Sequence, residues 1–267
     1  MIVFDWEEKM AEKIKICSFN LRCETAGDGI NQFSRGRCDR VIELIRNESP
    51  DVIGFQEMTE SMYAFLRDRL SEYSFFGCGR ESDYSGESTA IAVKNDGFSV
   101  ISYETFWLSF TPNVPGSTYG ADQSPCPRTA TSLLIHHVGS SECFRAVNTH
   151  LDHVGERARV LGITAIMEHI SKFPEKFVLT GDFNAEPDSA VIAALNSIEH
   201  FGNTVRELTE NVGGTFHGYD ALKVPTKIDY IFSNADYEPE ESKLVAYPPI
   251  NGVYVSDHHP VFATIII

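Results

Sequence analysis

No two of the six cysteines (Cys17, Cys23, Cys38, Cys78, Cys126, Cys143) form a C-x-x-C pair. Neither a zinc knuckle nor a redox motif is therefore visible, and the cysteines read as mostly packed thiols. Basic residues are scarce, 22 against 38 acidic ones, for a net charge of -16. Duplex DNA is bound largely by neutralising its phosphates, so this balance argues against an extended basic footprint for long duplexes, although not against a local basic pocket. Divalent cations would be attracted by the same field. The opening stretch MIVFDWEEKMAEK lacks the positive start and apolar core of a secretory signal, and no run reaches the length of a membrane span. The expectation is a cytoplasmic monomer with no membrane span. Internal repeats, low-complexity tracts and dividing linkers are missing too, so residues 1–267 read as a single domain with its core from about residue 14.

What is present alternates between strand-like and helix-like segments. KIKICSFN (13–20) reads as a buried strand ending in a polar residue. RCDRVIELIRNES (37–49) puts Val41, Leu44 and Ile45 on one helical face before Pro50 stops it. DVIGFQE (51–57) is a second buried strand, and a helix over 59–70 follows, capped by Thr59, with Met62, Phe65, Leu66 and Leu70 as its stripe. Strands are predicted near 73–78, 88–94, 98–108, 128–138, 143–149 and 176–181, with a helix over 155–170. Residues 109–127 hold four prolines and two glycines, form no regular element, and make a loop long enough to be functional or disordered. Hairpins in the middle and helices towards each end point to an α/β protein with mixed sheets.

One pattern recurs: an apolar run ends, and Asn, Asp, Glu or His stands at its edge. KICSFN delivers Asn20, DVIGFQE Glu57, FRAVNTH His150, and FVLTGDFN Asp182 and Asn184. KIDYIF carries Asp229, and SDHHPVFATIII places Asp257 and His258 before a strand. Residues i and i+2 of a strand share a face, so Asp182 and Asn184 converge if the strand stays extended there. Any one of these is unremarkable as a turn or cap residue. Six such strand ends are hard to explain as independent turns.

Oxygen ligands of this kind suit Mg²⁺, with Mn²⁺ as the alternative, and no cysteine cluster recruits a softer metal. Glu57 and Asp257, helped by Asn20, suffice for Mg²⁺, which keeps several waters. Histidines beside carboxylates add proton transfer and charge stabilisation near neutral pH. Phosphate-ester hydrolysis needs that inventory: a metal, a base for water, and a donor for the leaving oxygen. Arg128, in CPRTATSLLI after the Pro-rich loop, is a candidate substrate contact, since a guanidinium binds phosphate in a fork; the bland reading is a surface ion pair. Arg157 reads as structural.

Taken together, SFNLR, PDVIGFQE, NTHLDH, LTGDFNAEPDS, KIDYIF and SDHHPV resemble, in order, the motifs of the endonuclease/exonuclease/phosphatase family, from about Ile14 to the C-terminus. The resemblance implies a deoxyribonuclease I-like four-layer α/β/β/α sandwich with two mixed β-sheets and a site at one edge. It implies Glu57 as principal metal ligand with Asn20 and Asp257 beside it. Asp182 would orient or deprotonate the attacking water, and Asn184 would hold water and phosphate. His258 would contact the scissile phosphate, oriented by Asp229, with His150 as a second phosphate-facing histidine and Glu87 as its acidic partner.

YETFWLSFTPNVPGS followed by CPRTAT resembles a bacterial and fungal subgroup of hydrolases. No basic, aromatic DNA-wedging insertion and no leucine-rich repeat region is found. The expectation is a Mg²⁺-dependent phosphodiesterase or phosphatase acting by in-line water attack on a small-molecule, sugar-phosphate or lipid-headgroup ester. A nuclease is the alternative within the enzymes, and nucleic acid remains a possible substrate although long duplex DNA is disfavoured. The alternative outside them is a catalytically silent phosphate-binding module, which would carry substitutions at the metal or water positions. The chain shows none there.

Overall fold

The computed structural model describes residues 11–267 apart from 121 and 141, so the part of the predicted domain before residue 11 lies outside the described residues. Two mixed sheets form its centre. The first contains β1 (Lys13–Asn20), β2 (Val52–Gln56), β3 (Tyr73–Phe76) and β4 (Ile91–Lys94) in the order β1-β2-β4-β3. The Val261–Ile266 strand joins on the far side of β1, flanked by short strands at Asp236–Tyr237 and Lys243–Leu244. The second runs β8-β7-β6-β5, from β8 (Lys176–Asp182) through β7 (Cys143–His150) and β6 (Thr129–His137) to β5 (Phe98–Trp107). The Asp229–Ser233 strand and then Arg206–Glu207 extend it beyond β8. Each sheet has one parallel pair at its heart, β1 with β2 and β7 with β8, and antiparallel neighbours elsewhere.

Strand alternation decides what lies between the layers. Ile14, Ile16, Val52, Phe144, Ala146, Val178 and Ile231 point inward and form the core between the sheets. The alternate residues Cys17, Phe19, Ile53 and Phe55 pack outward on α1 (Arg37–Glu48) and α2 (Glu60–Arg69). Phe177, Leu179, Tyr230 and Phe232 do the same against α3 (Glu156–Ile170) and α4 (Ala190–Leu195). Three cores between four layers make the α/β/β/α sandwich that the sequence motifs imply.

The predicted elements appear within a few residues of their expected bounds. α1 buries Val41, Leu44 and Ile45 and ends where Ser49 turns left-handed and donates its N–H to the Ile45 carbonyl at 2.7 Å. Thr59 sits at the N-cap of α2, but its hydroxyl meets Ser61 and not a helix N–H. No described residue in 109–127 belongs to a helix or strand; instead Asp122 from that loop accepts the N–H groups of Arg157 and Ala158 at the start of α3. Two-residue strands between 199 and 244 add to the predicted elements. Among the described residues no helix is long and apolar enough to cross a membrane. All six cysteines are free thiols, but only Cys17 is buried, so the expectation of packed thiols is only partly met.

Candidate active site

The inner faces change character along their strands. Ile14 and Ile16 give way to Ser18 and Asn20 on β1, Phe144 and Ala146 to Asn148 and His150 on β7, and Val178 to Thr180 and Asp182 on β8. Asp182 pairs in register with His150 on one side and Asp229 on the other. One rim of the inter-sheet layer is thereby polar.

Below that rim lies a buried network, in which only the Gln56 side-chain oxygen lacks a partner among the described residues. Gln56 donates from Nε2 to Asn148 Oδ1 at 2.6 Å, and the Thr180 hydroxyl donates to the same oxygen at 3.0 Å. Asn148 Nδ2 in turn donates to the carbonyls of Phe55 and Ala90 at 2.7 and 3.1 Å. Leaving any of these buried groups unpaired would be costly. Gly54 is what lets the sheets approach here, since a Cβ on it would stand 2.1 Å from Thr180 Oγ1 and 2.6 Å from Asn148 Oδ1.

β2 stops at Gln56, and Glu57 turns left-handed at φ 57°. Its Oε2 accepts the Cys23 N–H at 3.0 Å and its Oε1 the Asn20 amide nitrogen at 3.1 Å, while that nitrogen also reaches Asp182 Oδ2 at 2.9 Å. The oxygen of Asn20 is taken by the Arg22 N–H at 2.9 Å. Asn20 thereby bridges two carboxylates through its amide nitrogen, while its oxygen, the expected metal ligand, accepts one N–H. Asp257 faces Arg22 Nε at 3.8 Å and His258 Nε2 at 3.9 Å. Glu57, Asp257, His150, His258 and three arginines, Arg22, Arg80 and Arg128, line one cleft of about 380 Å³.

The expected extended run from Asp182 to Asn184 does not occur. β8 ends at Asp182, and Asn184 adopts φ 47° with its N–H on Asp182 Oδ1 at 2.9 Å. The left-handed turn still brings the two side chains to one place, because Asn184 Nδ2 lies 3.0 Å from His150 Nε2 and 3.0 Å from the Leu151 carbonyl. His258 Nδ1 meets Asp229 Oδ2 at 2.8 Å and presents Nε2 3.8 Å from Asp182 Oδ2. Glu87 requires correction: Arg80 clasps its carboxylate with two nitrogens at 2.8 and 2.9 Å, and the acid near His150 is Asp182, 3.6 Å away. Arg128 is no surface ion pair; it is 5% exposed and rests its Nη2 on His153 Nδ1 at 2.8 Å.

These surroundings set distinct charge states. Burial and then Asp229 lift the Asp182 carboxyl to about 7, against the pull of His258. Burial opposes charge on His258, yet Asp229, Asp257 and Asp182 outweigh it and raise the imidazole to about 10. His150 goes the other way, because burial and then the Arg128 and Arg80 charges keep it neutral. For Glu57, burial is outweighed by the Cys23 N–H, His258 and the Asn20 amide, which hold its carboxyl below the usual range.

The donor set fits a hard cation. Oxygens of Glu57 and Asp182 and a nitrogen of His150 lie within 4.8 Å of one another, as do ligand atoms of Asp182, Asp229 and His258. Burial and then Glu57 raise the Cys23 thiol to about 12, so it supplies no thiolate to attract a softer metal. Sequence reasoning did not single out Arg22, Arg80 or His153, which line the same cleft. Arg22 lies two residues beyond Asn20 and could have been suspected; Arg80 sits in a segment whose composition reads only as a turn.

A four-layer sandwich with carboxylates and histidines gathered at one rim is the architecture that the sequence motifs imply. The chain belongs to the Endonuclease/Exonuclease/phosphatase family, whose family model matches residues 17–258. Members of that family are hydrolases acting on phosphate esters. The chain is 27% identical over 245 residues to the uncharacterised protein L388 of Acanthamoeba polyphaga mimivirus, covering 84% of this chain and 89% of that one. It is similar to the crystal structure of a family member from Bacteroides vulgatus, at 28% identity and TM-score 0.87, covering 96% of this chain and 99% of the other. It shares its fold with the mannosyl-6-phosphatase of Bacteroides thetaiotaomicron, at 24% identity and TM-score 0.84, covering 95% of this chain and 99% of that one.

Proposed function

We propose that this chain is a Mg²⁺-dependent phosphate-ester hydrolase that works by in-line attack of water, without a covalent enzyme intermediate. The observation that carries the reading is the convergence of Glu57, His150, Asp257 and His258 on one cleft, with buried Asp182 against Glu57 and His150, and Asp182 and Asp229 against His258. Glu57 and Asp257 would hold the cation, Mg²⁺ or alternatively Mn²⁺, with Asn20 fixing Glu57 against Asp182. When bound, the cation neutralises charge on the phosphoryl oxygens and supports the leaving oxygen.

The protein's own groups divide the remaining work. Asp182, lifted to about 7, is poised to take a proton from the attacking water near neutral pH. His258, its Nδ1 fixed by Asp229, offers a charged N–H from Nε2 to the phosphate as negative charge builds. Asn184 and His150, hydrogen-bonded to each other, position water and phosphate beside it. Arg128 stands behind as a substrate contact.

A small phosphate ester suits an acidic chain with three arginines lining one cleft better than long duplex DNA does. The test is a screen of phosphomonoesters, phosphodiesters, nucleic acids and phospholipids with Mg²⁺ and Mn²⁺, run on wild type and Asp182→Ala. Turnover that falls by about 10³-fold in the variant is expected from loss of the base; a hit that survives the substitution places the chemistry elsewhere.

A further inference from the structure

Arg80 and Arg128 stand together at the back of the cleft. Arg80 is held in a tight excursion, its N–H on the Glu87 carbonyl at 3.0 Å and its carbonyl accepting Trp107 Nε1 at 2.6 Å. The two-pronged clasp by Glu87 fixes its guanidinium. Arg128 has no such partner. Its nearest carboxylate is Asp152 at 3.7 Å, and that acid is already committed. Asp152 accepts the N–H groups of Ser124, Val154 and Gly155 at 3.1, 3.0 and 2.7 Å, and the Ser124 hydroxyl as well. Arg128 Nε and Nη1, and Arg80 Nε, are buried and donate to nothing among the described residues. A buried guanidinium without a direct counter-charge is costly, so the missing partner is an anion brought by a ligand.

The space these arginines border is small. Beside Glu57 and His150 they line a recess of about 10 Å³, the room of roughly one water molecule. It adjoins the wider cleft, whose wall includes both arginines. Such a recess admits one phosphoryl oxygen and has no room for an ester-linked carbon chain. A phosphodiester has two esterified oxygens and a single negative charge; a monoester has three terminal oxygens and approaches two charges near neutral pH.

Resting on the hydrolase reading above, we infer that the Arg80–Arg128 wall makes this site selective for phosphomonoesters, with Arg128 holding the third terminal oxygen of the substrate. Arg80, locked by Glu87, adds charge beside it, and the small volume of the recess leaves a diester's second substituent no room there. In the reaction the oxygen of water bonds to phosphorus and the ester P–O bond breaks. The alcohol leaves with one proton of the water, and the other remains in the hydrogen phosphate product.

Selectivity is read as the ratio of kcat/KM for p-nitrophenyl phosphate to that for bis(p-nitrophenyl) phosphate, with Mg²⁺, in wild type, Arg128→Met and Arg80→Met. Wild type should favour the monoester, and the ratio should fall about 30-fold in Arg128→Met and about 10-fold in Arg80→Met, as expected for lost charge-assisted hydrogen bonds. Calorimetric affinity for inorganic phosphate should weaken about 30-fold in Arg128→Met on the same grounds. If Arg128→Met does not fold, Arg128→Lys keeps the charge without the fork and should still lower ratio and affinity about 10-fold. A wild type that prefers the diester, or a ratio unchanged in the variants, overturns the inference and leaves the hydrolase reading standing. If wild type cleaves neither ester with Mg²⁺ or Mn²⁺, the hydrolase reading fails, and the phosphate calorimetry alone decides the arginine wall: equal affinity in wild type and variant would refute it.

Discussion

The two sheets are built alike and deliver different chemistry. Each has one parallel pair flanked by antiparallel strands, and each turns polar towards the same rim. The first sheet brings Asn20 and Glu57, with Asp257 just ahead of its Val261–Ile266 strand. The second brings His150, Asp182, Asn184 and Asp229. His258 crosses between them, since it precedes a strand of the first sheet and hydrogen-bonds Asp229 of the second. The contrast suggests that one sheet sets the place of the cation and the other handles water, protons and phosphate.

Breaking one sheet's contribution at a time sharpens that division. Asp182→Asn, on the second sheet, should lower kcat by about 10³-fold through loss of the base, and raising Mg²⁺ should not restore it. Glu57→Gln, on the first, should also cost activity, but with a Mg²⁺ requirement raised by about 10–100-fold and partial recovery at high metal, in line with losses seen when metal sites are perturbed. Metal-dependence curves of the two variants check this, and identical curves would dissolve the distinction.

A smaller effect tests how the sheets are held together. Gly54→Ala forces a methyl group into Thr180 and Asn148 and should destabilise the fold by about 1–3 kcal/mol through overpacking, measured by urea denaturation.

The mildest probe lies outside the rim. Burial raises the Asp152 carboxyl, but N–H groups of Gly155, Ser124 and Val154 and the Ser124 hydroxyl outweigh it and depress it from 3.8 to about 2. A carboxyl with a depressed folded pKa binds fewer protons folded than unfolded. Its stabilising contribution is therefore complete above the unfolded value and disappears as pH falls towards the folded one. Asp152→Asn should be less stable than wild type at pH 6, and the gap in Tm should close between pH 3.8 and about 2. A gap independent of pH would mean that the Asp152 charge contributes nothing.

Much of this site is legible in the chain itself. The polar ends of β1, β2, β7 and β8 mark the rim, because an apolar run that ends in Asn, Glu, His or Asp at several separate places has little other reason to do so. The network beneath it was open to the same reasoning. Two residues before Asn20, His150 and Asp182 stand Ser18, Asn148 and Thr180, so the inner face turns polar one step before each end. Other features depend on long-range contacts that no local pattern records. The left-handed turn at Asn184 replaces an extended strand, and Glu87 is taken by a residue across its own hairpin. Arg80 looks like turn material until the fold sets it beside Arg128. Two-residue strands between 199 and 244 exist only through their pairing partners.

The most direct measurement is a double-variant cycle across the two sheets. Residues serving one centre act as a unit, so removing both costs little more than removing the more damaging one. The kcat/KM of Glu57→Gln/Asp182→Asn should lie within about threefold of the worse single variant. A loss equal to the product of the two single losses would mean that Glu57 and Asp182 act independently, and the single centre at the rim would be wrong.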